Sequence, residues 1–387
     1  MDYNKAALEM HKKNKGKIEV ISKVEIENKD DLSTAYSPGV AAPCLEIANN
    51  EEEYKTYTSA ASTVAVISDG SAVLGLGDIG PKAAMPVMEG KSALFKKFGG
   101  VNSYPLVIDT QDVEEFITTV KHLAPSFGGI NLEDISAPRC FEIEERLKKE
   151  LPIPVFHDDQ HGTAIVTLAG IMNYLKLSGK EKDSIKIIIN GSGAAGGAIA
   201  KLLKYYGIKN IILCDRTGAI SKSRSKLSPS KQMMADDFNP ENISGTLHEV
   251  IKGADIFIGV SSGNILGEED IKNMNKNPAV FAMANPIPEI MPDIAKKGGA
   301  LVVGTGRSDF ENQLNNVLVF PGIFKGALEC GARDITEDMK IAAAKGLASL
   351  VETPTPQKII PNPFEQGVAA AVASAVKNEF KKTNKIK

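Results

Sequence analysis

Tryptophan is absent from the 387-residue chain, and aromatic residues make up only 6% of it. That scarcity argues against a recognition surface built on aromatic anchors, whereas 34 glycines suit a turn-rich α/β enzyme core. Long hydrophobic runs are also missing. The longest apolar stretches, IKIIIN and ADIFIGV, are strand-length and fall well short of the roughly 20 residues of a spanning helix, so no membrane association is expected. MDYNKAALEMHKKNKGK carries charge without an apolar stretch behind it and does not read as a secretory signal. Cysteine is sparse: Cys44, Cys140, Cys214 and Cys330 are scattered with no CxxC pair, which argues against a disulfide frame or a structural zinc site and suits a reducing, cytoplasmic location. Charge of one sign is lacking too. With 45 Lys and Arg against 48 Asp and Glu, and no long basic block outside the lysine-rich ends, nucleic acid is not an expected partner.

What the chain does contain is alternation. At about 150 residues per domain, its length predicts two or three domains. Residues 63–67, 104–108 and 153–156 read as short buried strands, with helical spacing over 86–97 and 112–122, giving a first α/β unit over 1–156. LPIPVFHDDQHGT is the best internal joint. From 157 to 387 the alternation is regular: helix 162–177, strand IKIIIN, helix 194–206, then NIILCD, ADIFIGV, AVFAMAN and ALVVGTG. Short apolar strands ending in small or polar residues predict a doubly wound, Rossmann-type parallel sheet. The alanine-rich C-terminal segment, with lysines in its last turns, predicts a helix packing back across the body.

Strand IKIIIN runs into GSGAAG, placing Gly191, Ser192, Gly193, Ala194, Ala195 and Gly196 in a G-x-G-x-x-G turn at the mouth of a helix. Such a turn brings backbone N–H groups and a helix N-terminus to a pyrophosphate, although glycines also serve plain βα turns. Asp215 ends the next strand 19 residues after Gly196, where a carboxylate binds ribose hydroxyls. Asp215 favours NAD, while Arg216, with Lys222 and Arg224 nearby, keeps NADP open unless Arg216 is a solvated loop charge.

Two acid pairs, Glu133-Asp134 and Asp158-Asp159, stand near strand ends and offer oxygen ligands for Mg²⁺ or Mn²⁺, or ordinary helix caps. His157 and His161 flank the second pair in HDDQH, similar to the H-E-x-x-H of zinc hydrolases. That chemistry needs both histidines on one helix. With strand-like PIPVF before it and Gly162 after, the cluster is expected in a strand-to-helix loop, which disfavours zinc hydrolysis.

Six segments together carry a family resemblance: LSTAYSPGVAAPC, VLGLGDIGPKAAMPVMEGKSALFKKFGGV, NLEDISAPRCFEIE, VFHDDQHGTA, NPIPE and NNVLVFPG. In this order, and spanning about residues 20–370, they resemble the malic enzymes of the short prokaryotic type. The resemblance implies oxidative decarboxylation of (S)-malate to pyruvate with NAD(P) and a divalent metal, in a homodimer. By motif match Tyr36 corresponds to the general acid and Lys91 to the general base. Glu133, Asp134 and Asp159 correspond to the metal ligands, and Asp158 to a carboxylate orienting the base. Asn285 and Asn316 match amides that hold the substrate carboxylate, Asn285 also bordering the coenzyme. One departure stands out: Ala72 occupies the place of an arginine in larger members, so the substrate clamp must differ. Apart from the resemblance, Tyr36 could merely precede the Ser37-Pro38-Gly39 turn and Lys91 could be one of several solvated helix lysines. As a base near neutrality Lys91 must be lowered from about 10.4, a change worth about 4 kcal/mol. Two rivals remain: a malolactic or oxaloacetate-decarboxylating lyase on the same site, and a non-catalytic metabolite-sensing relative. The N-terminal region 1–35 is the expected interface, its Tyr36 loop completing a neighbour's site.

Overall fold

Apolar runs rich in Ile and Val become parallel strands covered on both faces. The computed structural model describes residues 2–385 apart from Leu74, which falls within the VLGLGD segment. Strands β1 (Thr63–Ser68), β2 (Asn102–Val107), β3 (Gly129–Leu132) and β4 (Val155–His157) form an all-parallel sheet in the order β2-β1-β3-β4. A second sheet contains β5 (Lys186–Asn190), β6 (Asn210–Asp215), the short β7 (Gly218–Ala219), β8 (Ile256–Gly259), β9 (Ala279–Ala282) and β10 (Val302–Thr305), in the order β10-β9-β8-β5-β6-β7. All its pairings are parallel except β6 with β7. Successive strands leave β5 to opposite sides, which opens a crevice beyond the carboxyl ends of β5 and β8.

The strand-to-helix loop expected around His157 does not exist. β4 ends at His157, and helix Asp158–Ser178 starts at the next residue. The positive end of the helix favours two carboxylates in its first turn, so the acidic pair lies inside the helix. Gly162, read as a boundary, is internal for a different reason: a Cβ there would fall 1.9 Å from Asp158 Oδ1 and 3.0 Å from the Asn316 Cβ.

Helix Asp158–Ser178 ties the two sheets into one core. A single cluster runs from Val64, Phe95 and Phe156 through Ile165, Leu168 and Ile171 to Ile187, Phe281 and Val376. Phe95 meets Phe320 and Phe324 edge-on at centroid distances of 4.7 and 5.4 Å. The C-terminal helix, Val368–Lys385, lies across helix Phe320–Cys330, burying Val372, Ala373 and Val376. Among the described residues, no helix is long and apolar enough to cross a membrane.

The N-terminal segment behaves differently. Helices Tyr3–Asn14, Lys29–Ala35 and Ala41–Asn49 have no buried residue, and Leu8 and Ile21 are 74% and 76% exposed. The segment is fastened by Lys17, whose backbone N–H donates to Glu89 Oε2 (2.9 Å) and whose Nζ donates to the Pro86 carbonyl (2.6 Å).

Close crossing of helix Phe320–Cys330 and the C-terminal helix needs small residues. A Cβ at Gly326 would lie 2.7 Å from the Ala373 carbonyl. Gly326→Val is therefore expected to destabilise the fold by about 1–3 kcal/mol, read by calorimetry as a lower melting temperature; an unchanged value would refute this packing.

Candidate active site

Adjacent parallel strands end side by side. Because β3 pairs with β4 in the register Leu132↔His157, the residues just beyond them, Glu133-Asp134 and Asp158-Asp159, emerge together. Helix Pro81–Leu94 brings the third component, burying Lys91. Its Nζ lies 2.8 Å from Glu133 Oε1 and 2.7 Å from Asp158 Oδ2, with the Phe320 ring centroid at 4.3 Å. Asn131 Nδ2 donates to Glu133 Oε2 (2.8 Å), and the Asp134 backbone N–H donates to Asp159 Oδ2 (2.8 Å). Asp134 adopts φ +53°, a left-handed backbone that few residues enter and that clusters at functional sites.

One ammonium thus faces a surplus of carboxylates. Burial opposes the charge on Lys91, but Asp158, Glu133 and Asp159 outweigh it and hold the amine above its ordinary range. Burial pushes both Glu133 and Asp158 up to about 7, against the pull of Lys91, and it raises Asp159 too. Asp158 Oδ1 is buried with no hydrogen-bond partner among the described residues. Glu133, Asp134 and Asp159 each present a carboxylate oxygen, all within 4.8 Å of one another. Hard oxygen donors at that spacing fit a divalent cation such as Mg²⁺ or Mn²⁺.

Buried polar braces that sequence reasoning did not single out hold this cluster. Arg139 spends its guanidinium on Asp69 Oδ2 (2.8 Å), Ser71 Oγ (2.9 Å), Ser136 Oγ (3.2 Å) and the Gln111 carbonyl (3.0 Å). It fixes the loop that carries Ala72, whose N–H donates to the Asp134 carbonyl (3.0 Å). Glu144 accepts from the His157 backbone N–H (3.2 Å) and Gln160 Nε2 (3.2 Å) and meets His161 Nε2, while Lys340 Nζ lies 3.1 Å from His161 Nδ1. His161 is thereby committed on both ring nitrogens. His157 ends a strand, and burial lowers it to about 4. The two histidines share no helix, so the zinc-hydrolase pattern has no structural counterpart. Both Arg139 and Glu144 lie in the NLEDISAPRCFEIE segment, which was the available signal.

The remaining expected residues divide. Asn316 begins a short 3₁₀ turn, its Cβ against the first turn of helix Asp158–Ser178. Asn285 follows β9, and its carbonyl would sit 3.3 Å from a Cβ at Gly75, so the NPIPE and VLGLGD segments face each other. Tyr36 is not brought to the cluster: it caps helix Lys29–Ala35, is 69% exposed, and its phenol forms no hydrogen bond among the described residues.

The glycine turn opens a cleft of about 790 Å³ lined by Gly191, Ser192, Asp215 and Arg216, among others. Gly191 needs its φ of +119°, and a Cβ at Gly196 would fall 1.7 Å from the Gly191 carbonyl. Gly193 ends the turn, and Ala194 and Ala195 open helix Ala194–Tyr206, as a dinucleotide site requires.

The raised acids make a metal test with a defined sign. Carboxyls at about 7 when folded, against 4.5 and 3.8 ordinarily, bind protons more tightly in the folded state, so without metal their contribution to stability falls as pH rises through that window. A cation competes with those protons. Added Mn²⁺ is expected to raise the melting temperature more at pH 7.5 than at pH 5, a hundredfold excess over Kd at a given pH stabilising the fold by about 2.7 kcal/mol. Equal shifts at both values would count against the cluster as the metal site.

Comparison with known proteins agrees with this geometry. Residues 15–148 match the malic enzyme N-terminal domain, and residues 160–380 match the malic enzyme NAD binding domain. A bifunctional malic/malolactic enzyme of Bacillus subtilis is 56% identical over 379 residues, covering 97% of this chain and 92% of the relative. An NAD-dependent malic enzyme of Geobacillus stearothermophilus is 56% identical over 363 residues, covering 93% and 76%. Among solved structures, the NAD-dependent malic enzyme of Thermotoga maritima superposes with a TM-score of 0.93 at 49% identity, covering 96% of this chain and 98% of that one. With both domain models matched in order and a matching solved fold, the chain belongs to the malic enzyme family.

Proposed function

We propose that the chain catalyses the oxidative decarboxylation of (S)-malate to pyruvate and carbon dioxide with reduction of NAD(P). Residues 1–156 furnish Tyr36, Lys91, Glu133 and Asp134, and 157–387 the coenzyme cleft together with Asp158, Asp159, Asn285 and Asn316. The observation that carries this reading is the buried Lys91 held between Glu133 and Asp158 at the rim of a three-carboxylate cluster. Glu133, Asp134 and Asp159 would hold a divalent cation, which would supply Lewis acidity to the substrate oxygens, and a nicotinamide coenzyme in the glycine-turn cleft would supply the hydride acceptor.

Lys91 takes the hydroxyl proton of malate. Asp158, Glu133 and Asp159 are the charges that keep its amine protonated; a cation compensating Glu133 and Asp159 would leave burial opposed mainly by Asp158 and so lower the amine towards the range of a base. Asp158, 2.7 Å away, keeps Nζ aimed. After carbon dioxide leaves, Tyr36 returns a proton to the enol carbon, and Asn285 and Asn316 hold the substrate carboxylate. In a single chain Tyr36 stands outside the cluster, and the N-terminal segment presents uncovered Leu8, Ile21 and Leu45. A cytoplasmic homodimer in which this segment covers a second copy, delivering Tyr36 to its site, accounts for both. An ultracentrifuge mass of one chain at micromolar concentration would sink the dimer.

A second reading is favoured by the Bacillus subtilis relative, whose name includes malolactic activity. Absorbance of the reduced nicotinamide, followed with malate, Mn²⁺ and either coenzyme, separates the two: net reduction is expected, and decarboxylation without it would favour the lyase. In the same assay Lys91→Ala should lower malate oxidation by about 10²-fold or more while leaving some oxaloacetate decarboxylation. Tyr36→Phe should instead impair conversion of enolpyruvate to pyruvate. Equal loss of every partial reaction in both variants would refute this division of roles.

A further inference from the structure

The NPIPE segment ends in Glu289, whose carboxyl is fully buried and is met by backbone donors and by no cation among the described residues. Oε1 accepts from the Ser261 N–H (2.9 Å), just beyond β8, and Oε2 from the Ala284 N–H (3.0 Å), just beyond β9 and next to Asn285. The same residue reaches the far end of the loop after β8: its backbone carbonyl accepts from the N–H groups of Ile265 (2.9 Å) and Leu266 (3.1 Å), while the Pro288 carbonyl accepts from Asn264 (3.0 Å). Room for the carboxyl comes from Gly259, where a Cβ would fall 2.2 Å from the Glu289 Cδ. Ser261 and Ile265 line the coenzyme cleft, and Asn190 Nδ2, at the end of β5, donates to the Ser261 Oγ (2.7 Å). A buried carboxyl without a cation is costly, and burial pushes it up against the pull of the Ser261 and Ala284 N–H groups. Only a carboxylate, however, presents an acceptor on both arms; an amide of the same shape has one acceptor and one donor.

We propose that Glu289 is a positioning residue of the malate reaction: by gripping the ends of β8 and β9 together, it sets the coenzyme-side loop 261–266 and the substrate amide of Asn285 at a fixed offset. The ladder between the two strands ends with the Met283 N–H on the Gly259 carbonyl (2.9 Å). Beyond it the chains diverge, one towards the coenzyme cleft and one towards Asn285, and the Glu289 carboxyl is the next tie between them. Hydride transfer depends on that offset, since a displacement of about 1 Å can cost about 10²-fold in rate. Decarboxylation of oxaloacetate moves no hydride and depends on it less. Glu289 does not line the cleft itself and acts through Ser261 and Asn285. The proposal rests on the malate-oxidation reading of the site.

The test pairs kinetics with amide exchange on the purified full-length enzyme. Glu289→Gln keeps the shape but must turn its NH₂ to one of the two N–H groups, and it should lower malate oxidation about tenfold or more beyond any loss of Mn²⁺-dependent oxaloacetate decarboxylation. In hydrogen–deuterium exchange without coenzyme or substrate, the Ser261 amide of the wild type should exchange slowly although the residue is exposed, and the Gln variant should release the Ser261 or the Ala284 amide. Ser261→Gly, which loosens the same loop without disturbing the buried carboxyl, should shift the ratio of the two activities in the same direction and decides the matter if the Gln variant does not fold. Free exchange of the Ser261 amide in the wild type, or an unchanged ratio of the two activities in whichever variant folds, would overturn the proposal and leave the malate reading standing. A wild type that oxidises no malate would remove the malate reading and the proposal with it.

Discussion

The bond that organises the molecule is the buried ion pair of Lys91 with Glu133 and Asp158. Its three residues come from helix Pro81–Leu94, the end of β3 and the start of helix Asp158–Ser178, so it locks three elements at one point. Removing one member of such a buried pair costs roughly 3–5 kcal/mol, because the partners are left charged and dry. The pair is also deliberately unbalanced. More carboxylates than cations converge there, and the surplus is tolerable only because Asn131 and the Asp134 backbone supply hydrogen bonds and a cation can complete the set. Stability and chemistry draw on the same excess of negative charge.

Around that point a polar scaffold keeps the acids from relaxing apart. Arg139 fixes the 69–72 loop, whose Ala72 N–H in turn grips the Asp134 carbonyl. Glu144 steadies the strand-to-helix transition through the His157 N–H and Gln160, and Lys340, on helix Glu337–Ala348, closes that chain at His161. Arg139, the cation packed on this loop, is turned to Asp69, Ser71, Ser136 and the Gln111 carbonyl. What the loop offers instead is a short, rigid backbone beside the acids.

Much of this was legible from the sequence because parallel strands and their helices leave strong periodic signals. The G-x-G-x-x-G turn predicted helix 194–206, and the helix observed is Ala194–Tyr206. HDDQH was misplaced because a strand period and a helix period meet there with no residue between them, and Gly162 mimics a helix stop while serving a close approach. Lys340 stayed out of view because its partner lies 179 residues away, joined only by the tertiary fold. Tyr36 was named by resemblance to the family, and in this chain it stands exposed at the end of helix Lys29–Ala35, away from Lys91.

Helix Asp158–Ser178 has a consequence beyond positioning two aspartates. At about 1.5 Å per residue its 21 residues run some 30 Å through the middle of the continuous core. Neither sheet can expose its inner face without stripping this helix, so the two α/β units form one cooperative body. A cut at the joint would yield two fragments, each with half a core, and exchanging one unit between relatives would have to carry this helix and the residues packed on both its sides.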